Sequence, residues 1–468
     1  MHRAPTTVSH DSGLPPALAD FLIQGWAPRA EHALPPVPAC FAARRAQLAA
    51  QFPGAALAIP TGHEKVRSND TTYRFRPGSD FAWLTGCHEP DNVLVLTHGA
   101  EGPQWRLYVE PVHRGDTSFF TDRSKGELWV GARMGVDGSR RRYGFDDVRP
   151  LGDLQADLDA LSDVHLVRGL SDVLDARHTP SPGDTALASA LSELRLIKDE
   201  DEVEALRRVI ASTHRGFEDV IRGLPTMRTE RDVEVAFYAR ARTEGNDVGY
   251  GTIAAAGAHA TILHWTRNDA PLRQGDLFLL DAGVEGHDLY TADITRTFPL
   301  SGQFSPTQRA IYELVYKASR EAMAMVRPGI DFMAPNRRAM EVLATGLERL
   351  GILDNATVAL ASEHQFYRRY SLHNISHMLG IDVHDCAKAR AETYRFGALR
   401  PGMVFTIEPG LYFQPDDMTV PEEVRGIGVR IEDDILVTAD GYENLSAAIP
   451  SDPDDVEAWM ARVQGRTS

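Results

Sequence analysis

The chain has 468 residues, 43% of them hydrophobic, enough for two or three domains with cores of their own. Its formal net charge of −17 argues against a nucleic-acid partner, which calls for a basic face, and against an anionic membrane surface. Three cysteines, Cys40, Cys87 and Cys386, are odd in number and too widely spaced for a disulfide framework or a CxxC metal pair, so a reducing cytoplasm is the expected setting.

Residues 1–34 are rich in Pro, Ala, His and Ser and read as an extension without an apolar h-region. No later stretch approaches the roughly 18 apolar residues of a membrane span. From 35 to 187 helical and strand patterns alternate. VPACFAARRAQLAAQF and DLQADLDALS read as helices; AALAIP, NVLVLTHG and RLYVEP read as strands. That alternation is the pattern of an α/β domain. Residues 188–468 read as a second domain that opens with a linker helix, in which Val203, Leu206, Ile210 and Phe217 recur at helical spacing. Thr229-Glu230-Arg231-Asp232 resembles a capping box. Ser305-Pro306 supplies an N-cap and a first-turn proline for a further helix, expected to stop at Arg327-Pro328-Gly329. The helices ending VIRGLP and MVRPG are each followed by another helix, which suggests two α+β halves about a pseudo-two-fold axis.

Residues 276–299, DLFLLDAGVEGHDLYTADITRTFP, read as a hairpin around the polar turn Glu285-Gly286-His287-Asp288. Closure at His287 would set Asp281 opposite Asp293, with Cβ atoms roughly 4.5–5.5 Å apart. Two ionised carboxylates facing each other inside apolar strands repel and lose solvation. A positive charge between them removes that cost, which points to metal and to more than one ion. Three further residues join the pair: His377 in LHNISHMLGIDVHD, Glu408 in MVFTIEPG and Glu432 in GIGVRIEDDILV. Four carboxylates and an imidazole form a hard, oxygen-rich donor set suited to Mn²⁺ or a similar divalent ion. Two such ions with a bridging hydroxide would nearly cancel the four negative charges.

Each residue alone has a plainer reading. Asp281 after a strand reads as a turn or cap residue, and Glu432-Asp433-Asp434 as a solvated charge run. His373 and His377 stand at i, i+4, but the glutamate of an HExxH zinc helix is absent. The conjunction of five such residues in apolar strands is what a structural role does not explain.

The segments LHWTRND, LFLLDAGVEGHDLYTADITRTFP, LHNISHMLGIDVHD, VFTIEPGLYF and RGIGVRIEDDILVT, in this order, resemble the pita-bread metallopeptidases, and among them aminopeptidase P. RSND, SDFAWLTGCHEPDNVLVL and GELWVGARMG resemble that family's N-terminal domain. The resemblance implies an RNase-H-like α/β domain followed by an α+β pita-bread catalytic domain. It implies that Asp281 chelates one metal ion, that Asp293 and Glu432 bridge two, and that His377 and Glu408 complete the second site. The ions would be Mn²⁺, with Co²⁺ or Zn²⁺ as alternatives. The implied reaction is hydrolysis of an N-terminal Xaa-Pro bond of an oligopeptide by a metal-bridging hydroxide. Glu408 would shuttle the proton, and His264 and His384 would hold the scissile carbonyl and the tetrahedral intermediate. His373 and Tyr412 would line the cleft, and Arg430 would orient ligand carboxylates. Asp70 and Trp129 match residues that reach a neighbouring subunit's cleft, which implies a homodimer or homotetramer. Asn374, where the family usually has Gly, and Met378, where many members have an aromatic residue, depart from the pattern. The alternatives are a prolidase restricted to Xaa-Pro dipeptides and, from another class, a non-catalytic peptide-binding scaffold on the same fold; the intact ligand set argues against the scaffold.

Overall fold

The computed structural model describes residues 13–27, 34–112 and 115–465. Of the expected N-terminal extension, residues 1–12 and 28–33 lie outside the described residues, and Pro16–Leu22 forms a short exposed helix. Two compact units divide the chain between Leu194 and Arg195.

In the N-terminal unit five strands form one mixed sheet, ordered Asp147–Pro150, Gly102–Val109, Val93–Gly99, Ala56–Pro60, Val164–Leu166. The central strands are near-continuous apolar runs because both faces are covered, as expected of strands buried on two sides. Ala58, Val95, Tyr108, Leu158 and Leu166 close the core. Helix Pro182–Leu194 packs on helix Cys40–Gln51 and on strand Val164–Leu166. Residues 188–194, assigned by sequence to the second domain, therefore pack with the first.

The second unit opens with helix Glu200–Gly223, which starts where Asp199 and Glu202 cap each other reciprocally. Thr229 and Asp232 form the expected capping box of helix Glu230–Glu244. Ser305 with Gln308 does the same for Pro306–Met323, with Pro306 in the first turn. That helix ends at Met323, short of the expected stop at 327–329.

The two expected halves are visible as a repeated plan. The helix pair Glu200–Gly223 and Glu230–Glu244 precedes the antiparallel strands Ile253–Ala256, Leu277–Ala282 and Ile294–Pro299. The pair Pro306–Met323 and Ala334–Arg349 precedes the antiparallel strands Val404–Ile407, Asp433–Val437 and Tyr442–Asn444. Phe278 and Phe298 sit in direct register with ring centroids 5.5 Å apart, a cross-strand pair that fixes alignment.

The hairpin register differs from the one read in the sequence. Asp281 pairs with Thr295, and the isolated bridge Glu285–Thr291 continues the same offset. The turn thus centres on Asp288 rather than His287, and Leu289 takes a left-handed φ of 71° to close it. A centre shifted by one residue moves each partner by two, which preserves facing because side chains alternate with period two. Asp281 and Asp293 are diagonal neighbours on one face, not opposite partners. Gly283 is required at the crossing: a Cβ there would meet the Ala292 carbonyl oxygen at 1.7 Å.

Candidate metal centre and catalytic cleft

Strand Leu277–Ala282 delivers Asp281, and Asp293 immediately precedes strand Ile294–Pro299. Glu408 follows strand Val404–Ile407, and Glu432 sits between Gly428–Arg430 and Asp433–Val437. His377 is held at Thr406, whose backbone N–H donates to the His377 carbonyl at 2.9 Å and whose hydroxyl accepts from the His377 N–H at 3.2 Å. All five line one cavity of about 720 Å³. Asp293, His377 and Glu432 each offer a ligand atom within 4.8 Å of the others. His377 Nε2 lies 3.3 Å from Asp293 Oδ2 and 3.6 Å from Glu408 Oε1. Its Nδ1–H donates to the Met378 carbonyl, which turns Nε2 toward the carboxylates in the way metal-binding imidazoles are fixed.

Tyr250 was not singled out in the sequence. Its hydroxyl lies 2.6 Å from Asp281 Oδ1 and 2.5 Å from Asp293 Oδ1, so it links the two diagonal carboxylates. Arg430 is buried rather than paired on the surface. It donates to Asp281 Oδ2, to the Tyr412 hydroxyl at 3.1 Å and to Thr295 Oγ1 at 3.1 Å. Thr295 in turn donates to Glu432 Oε2 at 2.6 Å.

The charge-run reading of 432–434 is wrong: all three carboxylates are buried. Asp433 accepts from Arg296, whose guanidinium is fully buried and also donates to the backbone carbonyls of Glu432, Ile449 and Pro450. Asp434 accepts from the Asp293 backbone N–H at 3.2 Å. Consecutive acidic residues can be buried on both faces of a strand when one face carries the candidate ligand and the other meets a buried arginine.

The electrostatics fit a cationic occupant. Burial, and then repulsion from Asp293, Glu408 and Asp281, hold Glu432 well above the usual carboxylate range. Burial also raises Asp281, against the pull of Arg430. Burial pushes Glu408 up to about 7, although His377 and Arg430 draw it down. Burial disfavours protonated His377, but Asp293 and Glu408 outweigh it and raise the imidazole to about 9. Asp281, Glu408 and Glu432, three crowded acids that resist ionisation, stand with Asp293 and one imidazole in the kind of donor set that divalent ions relieve.

The remaining predicted residues divide between the units. His264, His373 and His384 line the same cavity. The His377 and His384 rings meet edge to face at 4.1 Å. His373 Nε2 lies 2.8 Å from the Tyr412 hydroxyl, and burial, then Arg430, lowers this imidazole to about 4. Asp70 and Trp129 belong to the N-terminal unit. Asp70 is exposed in the turn between Val66–Ser68 and Thr71–Thr72. Trp129 is 49% exposed, with its indole N–H donating to the Phe120 carbonyl, so it is not a core aromatic.

Comparison with known proteins agrees with this geometry. Residues 204–439 match the model of metallopeptidase family M24, and residues 41–166 match the N-terminal domain of aminopeptidase P. The chain belongs to the aminopeptidase P family of M24 metallopeptidases. It is 48% identical to Xaa-Pro aminopeptidase 1 of Streptomyces coelicolor over 97% of this chain and 94% of the relative. It is 34% identical to the Xaa-Pro aminopeptidase of Escherichia coli, covering 90% of this chain and 97% of that one. The structure of E. coli aminopeptidase P with the inhibitor Pro-Leu superposes with a TM-score of 0.82 at 31% identity, covering 92% of this chain and all of that one. Proline aminopeptidase P II from Yersinia pestis gives 0.79 at 33% identity, over 90% of this chain and 99% of that one. The molecule is therefore a metallo-aminopeptidase, with a family-typical N-terminal domain and a pita-bread catalytic domain.

Proposed function

We propose that the chain hydrolyses the N-terminal Xaa-Pro bond of oligopeptides at a dinuclear metal centre. The observation that carries this reading is the complete donor set, buried Asp281, Asp293 and Glu432 with part-buried His377 and Glu408, around one cavity that also presents His264, His373 and His384. Asp281 would hold one ion, His377 and Glu408 the other, and Asp293 and Glu432 both. The hard donor set favours Mn²⁺, with Co²⁺ or Zn²⁺ as substitutes. When bound, two divalent ions supply Lewis acidity that activates water and polarises the scissile carbonyl; two-metal aminopeptidases are among the general examples of that chemistry.

The chain's own residues do the rest. Glu408, raised toward neutrality by burial, accepts the attacking water's proton and returns it to the prolyl nitrogen as the bond breaks. His264 and His384 stand on the cavity wall as donors to the carbonyl oxygen as charge develops there. Arg430 and Tyr250 keep Asp281 and Asp293 aimed inward. His373, held by its hydrogen bond to the buried Tyr412, which does not itself line the cavity, forms the wall against which the prolyl ring rests. The exposure of Trp129 supports assembly into a dimer or tetramer in which it covers a neighbour's cleft. Free, buried Cys87 and Cys386 are consistent with work in the cytoplasm. Among the described residues no helix is long and apolar enough to cross a membrane.

The test is a pair of substrates with added Mn²⁺: a tripeptide Xaa-Pro-Yaa and the dipeptide Xaa-Pro. Release of Xaa from the tripeptide is expected. Turnover of the dipeptide alone would make the chain a prolidase, and turnover of neither would leave a binding scaffold.

A further inference from the structure

Glu230 opens helix Glu230–Glu244, yet its carboxylate is not spent on the helix, because Thr229 and Asp232 already cap that start. The side chain is fully buried and lies outside the lining of the catalytic cavity. Its Oε1 accepts from the Ala256 backbone N–H at 2.8 Å and from His259 Nδ1 at 2.9 Å. Its Oε2 accepts from the Trp265 indole N–H and from the Ala270 backbone N–H, each at 2.9 Å. One carboxylate therefore gathers both ends and the middle of the segment 256–270. The backbone closes the same loop, with the Glu230 N–H donating to the Ala270 carbonyl at 2.9 Å. That segment carries His264. Leu263, His264 and Thr266 line the cavity, whereas Trp265 does not and is turned to Glu230 instead. Trp265 lies against the His259 ring, with centroids 3.7 Å apart, and packs on Ile253, Ala255, Ala260 and Leu279. Among the described residues no hydrogen bond holds the His264 ring itself, so its aim is set by the backbone that bears it.

A donor that stabilises charge developing on a carbonyl oxygen works only if it is held in place before the reaction starts. We infer that Glu230 is a positioning residue: through Trp265 and His259 it fixes the loop from which His264 reaches the scissile carbonyl. This rests on the peptidase reading above. The chemistry needs a carboxylate rather than any buried polar group. An ionised carboxylate is acceptor-only and can take all four N–H groups, two on each oxygen. A carboxamide of the same shape keeps one oxygen and turns its NH₂ toward two of those donors, which are then left buried and unpaired. The loop must shift to relieve them, and His264 shifts with it, while the metal ligands, which lie on other elements, stay where they are.

The experiment is a double-mutant cycle on the Mn²⁺-loaded full-length enzyme with an Xaa-Pro-Yaa tripeptide: wild type, Glu230→Gln, His264→Ala and the double variant, with metal content measured for each. Glu230→Gln should lower kcat on the order of 10–100-fold, as misplacement of a reacting group does, with the loss in kcat rather than KM and with metal content unchanged. In the His264→Ala background the same substitution should change kcat by no more than about twofold, because its effect passes through His264. Trp265→Phe, which keeps a ring and removes the N–H, should repeat the pattern more weakly, and it decides by the same comparison if Glu230→Gln does not fold. A loss carried in full into the His264→Ala background, a loss that follows lost metal, or wild-type kcat in the folded variants overturns the positioning role while wild-type turnover leaves the peptidase reading standing. No turnover of the tripeptide by wild type removes both together.

Discussion

At the scale of single residues, the cleft uses burial to set proton affinity and hydrogen bonds to set aim. In the proposed mechanism Glu408 is both ligand and proton carrier. Glu408→Gln keeps the shape and one oxygen donor but removes the proton acceptor, so kcat should fall on the order of 10²–10⁴-fold with the fold retained. Wild-type turnover in that variant would exclude the proton-transfer role. Tyr250 acts differently, since its hydroxyl links Asp281 to Asp293 without being a donor in the proposed set. Tyr250→Phe should weaken metal affinity about 10–100-fold, as loss of an outer partner does, with activity recovering at high Mn²⁺. Isothermal titration of the metal-free variant reads this directly. The five proposed ligands stood out in the sequence because carboxylates and an imidazole in apolar strands are costly without a partner, and the structure brings all five to one cavity. Tyr250 was not legible, because a tyrosine in NDVGYGT carries no such cost signal. The charge-run alternative for Asp433 and Asp434 fails because their partners, Arg296 in strand Ile294–Pro299 and the Asp293 amide just before it, lie more than a hundred residues earlier.

At the scale of elements, helix starts were the most readable features, since capping boxes are local chemistry: Thr229, Ser305 and their partners behave as the sequence indicates. Register was less readable. The turn after Glu285 contains a left-handed Leu289, a conformation the residue type does not advertise, and this moves the hairpin centre by one residue. The first helix pair is clamped by Glu244, which accepts from Arg215, from Ser212 at 2.7 Å and from Arg240 at 2.6 Å. The Arg215 hydrogen bond, against some desolvation and with help from Ser212 and Arg240, lowers the Glu244 carboxyl to about 2. A carboxyl lowered on folding contributes stability above its unfolded value of about 4.3, and that contribution is lost as pH falls through about 2. Glu244→Gln should therefore lower stability by about 1 kcal/mol at pH 7, allowing for partial exposure. The difference from wild type should vanish toward pH 2. Urea denaturation at both ends of that range checks it; a gap that persists at low pH would show that packing, not charge, is responsible.

At the scale of the whole molecule, the arrangement is a family-typical N-terminal domain joined to a catalytic domain of two repeated halves, with the proposed ligands drawn from both halves. Asp281 and Asp293 come from the first, and His377, Glu408 and Glu432 from the second. Such a centre forms only when the halves meet, which is why no local motif announces it. The N-terminal domain presents Trp129 at its surface. If a neighbour's cleft receives it, Trp129→Ala should impair longer peptides more than shorter ones at unchanged metal content, and the wild-type enzyme should sediment as a dimer or tetramer. A fully active monomer would refute that role. The central claim, however, is that four carboxylates, three of them buried, and one histidine hold two ions that act together. The most direct measurement is elemental analysis combined with activity during stepwise Mn²⁺ loading of metal-free enzyme. The account predicts close to two ions per chain at full Xaa-Pro activity, and loss of both ions in Asp293→Ala, because that carboxylate serves both; full activity at a single ion per chain would contradict it.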